Sequence, residues 1–139
     1  MKSETLSKLE FFFKNFSVAM GKASSLAQIE SSEESLKLKF VEDYKIFVQR
    51  FGGCVIGTKP VYGFENSEML DEATVVDLTE EYRKTEGGNY TWLIIGFDLA
   101  GNYIGIDEGG KIMMYDHDFG KMVILAESFE EYVLTGLAE

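Results

Sequence analysis

The feature that most constrains the fold of this chain is an apolar helical stripe that stops at two glycines. The stripe has the i, i+3, i+4, i+7 spacing of one helix face, and Gly52 and Gly53 follow its last residue. A glycine at this point can adopt a positive φ and end the helix without a Cβ clash. The apolar run CVIG begins directly afterwards, at Cys54. The segment therefore predicts a helix, an abrupt stop and a strand; the stripe consists of Tyr44, Phe47, Val48 and Phe51.

Two more helices are predicted before this segment. The first begins at Ser3, which is placed to cap it, and ends at the small and polar run GKASS, residues 21–25. The second is weaker, because the acidic run ESSEES lies between its apolar positions. The predicted apolar positions are Leu6, Leu9, Phe13 and Phe16 in the first helix, and Leu26, Ile29 and Leu36 in the second.

The middle of the chain combines short apolar runs with a further helix. CVIGT and PVYGF lie around Pro60, the only proline, which suits an edge strand or a turn. In the following run, LDEATVVDLTEEYRK, Val75, Thr79 and Tyr82 are in helical register. This pattern predicts a helix that is capped by Asp71.

From Asn89 onward the pattern is that of strands. Four runs rich in β-branched and aromatic residues are separated by DLAGN, DEGG and DHDFG, which have the residues of tight turns. An antiparallel four-stranded meander is predicted, followed by a last helix in which Ser128 caps the first turn and Glu131 reaches back to it. The buried face of that helix is predicted to be Phe129, Tyr132, Val133 and Leu137. The whole pattern predicts one α+β domain over residues 1–139.

Composition excludes several classes of protein. There is no apolar run of about 18 residues, and the first predicted helix carries Glu4 and Glu10, so neither a membrane span nor a signal peptide is expected. We therefore expect a cytoplasmic protein that binds no membrane. Cys54 is the only cysteine, which rules out an internal disulfide and a CxxC site.

The formal net charge of −11 bears on the choice of partner. An acidic surface repels phosphate backbones and increases encounter rates with basic partners. No nucleic acid is therefore expected as a partner. The charge alone is equally compatible with a role in solubility.

Spaced positions from Ile29 to Gly52-Gly53, and the junction of Ala126, Ser128 and Phe129, together form a recognisable pattern. This pattern resembles the SUKH superfamily, which groups the yeast Smi/Knr cell-wall regulators with many bacterial immunity proteins. The family pattern has Leu-Pro where this chain has Phe40-Val41, and proline would pre-set the first helical turn. Near the C-terminus, Ala126, Ser128 and Phe129 resemble the strand-to-helix junction A-x-S-F of the family. The resemblance spans about residues 25–138. Its N-terminal positions are Ile29, Glu33, Leu36, Phe40, Tyr44, Phe47 and Gly52-Gly53.

The resemblance implies a twisted, mainly antiparallel sheet packed against helices, and a binding protein rather than an enzyme. Many bacterial members are thought to neutralise toxins, often nucleases, by binding them. The fungal members resemble regulatory interaction proteins. The resemblance thus leaves two hypotheses: an immunity protein for a cognate toxin with a basic surface, or a regulatory or scaffold module linked to cell-wall or envelope synthesis.

Candidate catalytic and metal motifs are weak. The run DHD, residues 116–118, has the residue types of a metal site or an acid–base pair, but it lies where a hairpin turn is predicted. Asp98, Gly101 and Asn102 lack the ligand spacing of a calcium loop, and Gly109-Gly110-Lys111 lacks the phosphate-binding P-loop pattern. We expect Cys54 to be a buried small hydrophobe. No catalytic residue, metal or cofactor is predicted.

Acidic residues in the predicted loops are the candidate binding residues. Charges in loops stay solvated, which is their ordinary role, and binding residues also concentrate in loops. As a set, these carboxylates would complement a basic face on a toxin. The predicted partner-binding residues are Glu65, Glu68, Asp98, Asp107, Glu108, Asp116 and Asp118.

Overall fold

The structure is a computed structural model that describes residues 1–85 and 89–139; residues 86–88 of the predicted domain lie outside the described residues. The helices are α1 (Ser3–Asn15), a 3₁₀ turn (Ser17–Ala19), α2 (Leu26–Leu36), α3 (Glu42–Phe51), α4 (Val75–Thr85) and α5 (Phe129–Leu137). The strands are β1 (Cys54–Ile56), β2 (Lys59–Val61), β3 (Leu93–Phe97), β4 (Tyr103–Ile106), β5 (Ile112–Asp116) and β6 (Lys121–Ala126). The predicted α+β class is confirmed.

The strands form two antiparallel units. In the larger sheet the spatial order is β3-β4-β5-β6, which confirms the predicted meander. In the smaller one, β1 pairs with β2, and Pro60 lies opposite Val55. The backbone N–H of Tyr62 donates to the carbonyl of Ile95 at 2.8 Å. This bond fixes the β1–β2 hairpin to the edge of the larger sheet at β3.

Both faces of the larger sheet are buried at β3 and β4. On one face, alternate strand residues such as Ile95, Ile104 and Ile112 pack into the main core with α1, α3 and α5. On the other face, Ile94, Trp92 and Tyr103 form a second cluster with Leu78 and Tyr82 of α4. The apolar continuity of WLII follows from burial on both faces.

The stop after α3 is as predicted, and a second requirement accompanies it. Gly52 has φ +70° and ψ −153°, a conformation open essentially to glycine. A Cβ on Gly52 would lie 2.1 Å from the Lys22 carbonyl oxygen, and one on Gly53 would lie 1.9 Å from Asn66 Oδ1. The glycine pair therefore both ends the helix and allows two other chain segments to approach the backbone.

The link from α2 to α3 is held by a buried carboxylate. Glu33 is 8% exposed, and its Oε2 accepts a hydrogen bond from the backbone N–H of Phe40 at 2.8 Å. Lys45 Nζ lies 3.9 Å from the same oxygen. The hydroxyl of Tyr44, the third residue of α3, donates to the Tyr62 carbonyl at 2.7 Å. Glu33 thus links α2 to the chain before α3, and Tyr44 links α3 to the residue that follows β2.

Three predicted helix caps differ from the structure. The N-cap of α1 is Lys2, without a side-chain cap, and Ser3 is already helical. Asp71 does not cap α4. Its Oδ1 accepts from the N–H of Ala73, which precedes the helix, and not from an N–H of the first helical turn. At α5 the Ser128 cap is confirmed, but Glu131 Oε2 accepts from the N–H of Glu127 rather than that of Ser128.

The cap of α4 is a reciprocal pair that the sequence reading missed. Thr74 Oγ1 accepts from the Asp77 N–H at 3.1 Å, and Asp77 Oδ2 accepts from the Thr74 N–H at 2.9 Å. This is the hydrogen-bond pattern of a capping box.

Two predicted core positions are also wrong: Phe16 is 57% exposed and Leu26 is 52% exposed.

We expect Gly52→Ala to lower the free energy of unfolding by more than about 3 kcal/mol, because it adds a backbone overlap to a positive-φ penalty. The matched control is Gly101→Ala, where φ is +81° and nothing lies within 4 Å of the added Cβ. That control should lose only about 1–2 kcal/mol. Urea unfolding followed by circular dichroism measures both; equal losses would show that the approach of Lys22 is unimportant.

Candidate partner-binding surface

The meander separates the predicted acidic residues into groups. In an antiparallel meander, successive turns lie at alternate ends of the sheet. The β3–β4 turn therefore shares one end with the β5–β6 turn, whereas the β4–β5 turn lies at the opposite end. Asp98, Asp116 and Asp118 thus come to one end, and Asp107 and Glu108 to the other. We call residues 98–102 and 116–120 the two-turn end.

Glu65 and Glu68 belong to a third location. They lie between β2 and α4, and both are exposed. The carbonyl of Glu65 accepts from the N–H groups of Lys22 and Gly53, each at 3.2 Å, so this segment is held against the glycine pair. The seven predicted residues do not form one surface, and the two-turn end brings together three of them.

A buried asparagine joins the two turns. Asn102 is 6% exposed. Its Oδ1 accepts from the His117 backbone N–H at 3.2 Å, and its Nδ2 donates to Asp98 Oδ2 at 3.0 Å. The amide therefore links the β3–β4 turn to the β5–β6 turn. The sequence showed Asn102 only as a turn residue, because nothing local indicates a contact 15 residues away.

The Asp98 carboxylate also determines the shape of its own turn. Its Oδ1 accepts from the N–H groups of Ala100 and Asn102, at 2.9 and 2.8 Å. Burial acts to raise the pKa of Asp98, but the hydrogen bonds from Asn102 and Ala100 outweigh it, so that the pKa lies below its ordinary value. Asp98 is therefore ionised at neutral pH.

Two more of the predicted aspartates have the same turn-shaping role. Asp107 Oδ1 accepts from the N–H groups of Gly109 and Lys111. Asp116 Oδ1 accepts from the N–H groups of Asp118 and Phe119. Such local bonds are the reason aspartate is favoured in turns. The orientation of each carboxylate is thus fixed by hydrogen bonds within its own turn.

The two-turn end also carries apolar side chains that the sequence reading missed. Leu99 is 104% exposed and Phe119 is 78% exposed, the highest values among large apolar side chains in the described ranges. Protein interfaces combine apolar side chains at the centre with a polar rim. The sequence does contain a signal for them, because each of the turns DLAGN and DHDFG includes one large apolar residue.

A cavity of about 250 Å³ lies between the turns. The rings of Phe97 and Tyr103, with centroids 5.1 Å apart, are part of its wall. Aromatic faces suit positively charged groups. The remaining lining residues are Gly101, Asn102, Tyr115 and His117.

The two-turn end has few of the side-chain arrangements that catalysis or metal binding requires. Within residues 1–85 and 89–139, no group of three or more His, Cys, Asp and Glu side chains is placed to hold a metal ion. The DHD run is a hairpin turn, as predicted, and His117 Nε2 lies 3.3 Å from Asp118 Oδ1 in an exposed pair.

Cys54 lies away from the two-turn end and is buried, as predicted. Burial raises the pKa of its thiol to about 12, although a backbone hydrogen bond from Gly21 opposes this shift. The Sγ donates to the carbonyl of Phe51 at 3.1 Å. A thiol with such a pKa is neutral at physiological pH, and a neutral thiol is a poor nucleophile.

Comparison with known proteins identifies the family of this chain. A SUKH family model, described as SMI1-KNR4 cell-wall, matches residues 8–137. The chain belongs to the SUKH family. No curated protein matches it. Membership supports a non-catalytic immunity or regulatory role in general, and the binding of a protein partner. Among the described residues, no helix has both the length and the apolar character needed to cross a bilayer.

The N-terminal SUKH motif residues of this chain lie in the interior. Ile29 and Phe47 are fully buried, Glu33 holds the α2–α3 link, and Gly52-Gly53 allow the close backbone approach described above. These positions are buried and support the fold. The exposed residues of the two-turn end, such as Leu99 and Phe119, are not among these motif positions.

We expect Asp98→Ala to destabilise the protein by about 1–2 kcal/mol near neutral pH, because it removes an ionised acceptor of three hydrogen bonds. The folded pKa is lowered, so the carboxylate stabilises the fold above the unfolded pKa of about 3.9, and this stabilisation is lost as pH falls through the folded pKa. Urea titrations of both proteins from pH 7 to pH 3 should show the difference shrinking. Asp118→Ala, at an exposed pair, should change stability by less than about 0.5 kcal/mol throughout.

Proposed function

We propose that this protein is an immunity-type binder that neutralises a cognate bacterial toxin, a nuclease, by direct protein–protein binding through the two-turn end. One observation carries the proposal: the sheet topology joins Asp98, Asp116 and Asp118 to the exposed side chains of Leu99 and Phe119 on one surface. Family membership supports the binding of a protein partner.

The charge of the chain supports a nuclease as the partner. A nuclease binds a polyanion, so the surface around its active site carries an excess of Lys and Arg. A protein of net charge −11 is attracted to such a surface over several ångströms before contact. Occupying that surface excludes the nucleic acid, and neutralisation needs no chemistry on either protein.

The side chains of the two-turn end have separate roles in this proposal. Phe119 and Leu99 lose most of their exposed area on binding and supply the affinity, as central apolar residues do in interfaces. Asp118, exposed at the rim, steers the encounter and affects mainly the association rate. Glu65, Glu68, Asp107 and Glu108, which lie elsewhere, contribute to the long-range field.

The test is an affinity pull-down from lysate of the source organism at low and at moderate salt, with mass spectrometry of the retained proteins. Recovery of one basic, toxin-like protein in equal amount, with association that slows as salt rises, is the expected result. Co-expression of the two proteins should then protect cells that the toxin alone kills. Recovery of envelope-synthesis proteins instead would overturn the immunity proposal in favour of the regulatory alternative.

Matched charge reversals test the location of the interface. Asp118→Lys and Glu108→Lys change the net charge equally, but they lie at opposite ends of the sheet. We expect Asp118→Lys to slow association with the captured toxin about tenfold and Glu108→Lys to slow it much less. Phe119→Ala should accelerate dissociation and cost more than about 1 kcal/mol. A larger effect of Glu108→Lys would place the interface at the β4–β5 turn.

A further inference from the structure

One face of β5 and β6 forms an apolar surface next to the two-turn end. In the register of these strands, Met113 lies opposite Ile124 and Tyr115 lies opposite Met122. Directly opposite residues of an antiparallel pair project to the same face, as do residues two apart on one strand. The four side chains therefore share one face, which we call the open sheet face.

The open sheet face continues the side of the sheet that α4 covers elsewhere. Met113 and Tyr115 pack against the cluster of Tyr82 and Trp92, which places them on the α4 side. The helix itself packs on β3, and β5 and β6 extend beyond it. Met122 is 52% exposed and Ile124 is 49% exposed as a result.

The composition of β6 is unusual for a strand at the edge of a sheet. Edge strands with one face to solvent ordinarily alternate apolar and polar residues or carry charges. In KMVILA, Lys121 is the only charged residue. Single exposed hydrophobes need no explanation, but a contiguous apolar patch marks an interaction site. Methionines make such a site adaptable, because their side chains are unbranched and flexible.

We propose that the open sheet face receives an amphipathic helix of the partner, whose apolar stripe is flanked by lysine and arginine. This inference rests on the proposed function, since it assigns a second contact to the same protein partner. Charge complementarity supports it: Asp118 lies at one end of the β5–β6 pair, and the exposed Glu127 lies at the other end. The face is also continuous with the two-turn end, through Tyr115 in the wall of the cavity.

Two other occupants fit less well. Addition of a partner strand to β6 requires a regular ladder, but the register shifts between Ile112 and Met113, so that Leu125 has no opposite residue. Such a bulge is a common means of blocking an edge strand. A second copy of this chain would bring together two molecules of net charge −11.

The test uses a synthetic leucine–lysine amphipathic helical peptide as the probe, titrated into ¹⁵N-labelled protein and followed by NMR chemical shifts. Shifts are expected at residues 113–115 and 121–125. Met122→Asp should weaken binding about fivefold or more, although its added negative charge would strengthen a purely electrostatic association. The control Leu26→Asp makes the same change at an α2 position that is also 52% exposed, and it should not weaken binding. Met122→Thr provides a second variant that keeps strand propensity.

The contrary outcomes are equally specific. Shifts spread over all acidic regions, or concentrated at the exposed side chains of Phe11 and Phe16, would overturn the assignment. Concentration-dependent dimerisation that Met122→Asp abolishes would assign the face to a second copy. If Phe119→Ala impairs toxin capture while Met122→Asp and Met122→Thr leave capture and peptide binding unchanged, this inference fails and the proposed function stands. Peptide binding at the open sheet face, without recovery of any toxin in the pull-down, would support the helix-binding face and contradict the proposed toxin partner.

Discussion

The close approach of three backbone segments at Gly52 and Gly53 is the constraint on which the rest of this structure depends. The Phe51 carbonyl accepts from the N–H of Gly21, and Gly53 donates to the Glu65 carbonyl while its own carbonyl accepts from the Ser67 N–H. These bonds form only where no Cβ separates the chains. They fix the direction in which the chain leaves α3, and so position β1, β2 and, through the bond from Tyr62 to Ile95, the meander.

From this junction outward, the interior and the surface have different tasks. The interior positions typical of the SUKH family hold helices, hairpin and sheet together, and a change there affects folding. The turns of the meander are fixed by their own aspartates and by Asn102, while Leu99 and Phe119 in these turns remain exposed. Because α4 covers only one half of its side of the sheet, β5 and β6 are left with an apolar face. A rigid scaffold that presents variable turns is a common basis for binding proteins.

The errors in the sequence reading share one physical origin. Asp71 and Thr74 both precede α4 and both can cap a helix, and the choice depends on Asn66, whose Nδ2 donates to the carbonyls of Asp71 and Ala73 and holds that segment in place. Phe16 and Leu26 have the right spacing for burial, but they lie at helix ends beyond the neighbouring elements. Local pattern identifies what a residue can do, and distant contacts decide which option is used.

The sequence by itself determined the elements: the helix that ends at Gly52, the meander with its three turns, the Ser128 cap and the burial of Cys54. Each of these depends on periodicity, turn chemistry or conformational freedom within a few residues. Only the tertiary structure decided that Asp98, Asp116 and Asp118 share one end of the sheet while Asp107 and Glu108 lie at the other, and that Met122 and Ile124 remain exposed. The physical reason is that a surface consists of residues brought together by strand pairing and helix coverage, and their separation along the chain carries no record of that proximity.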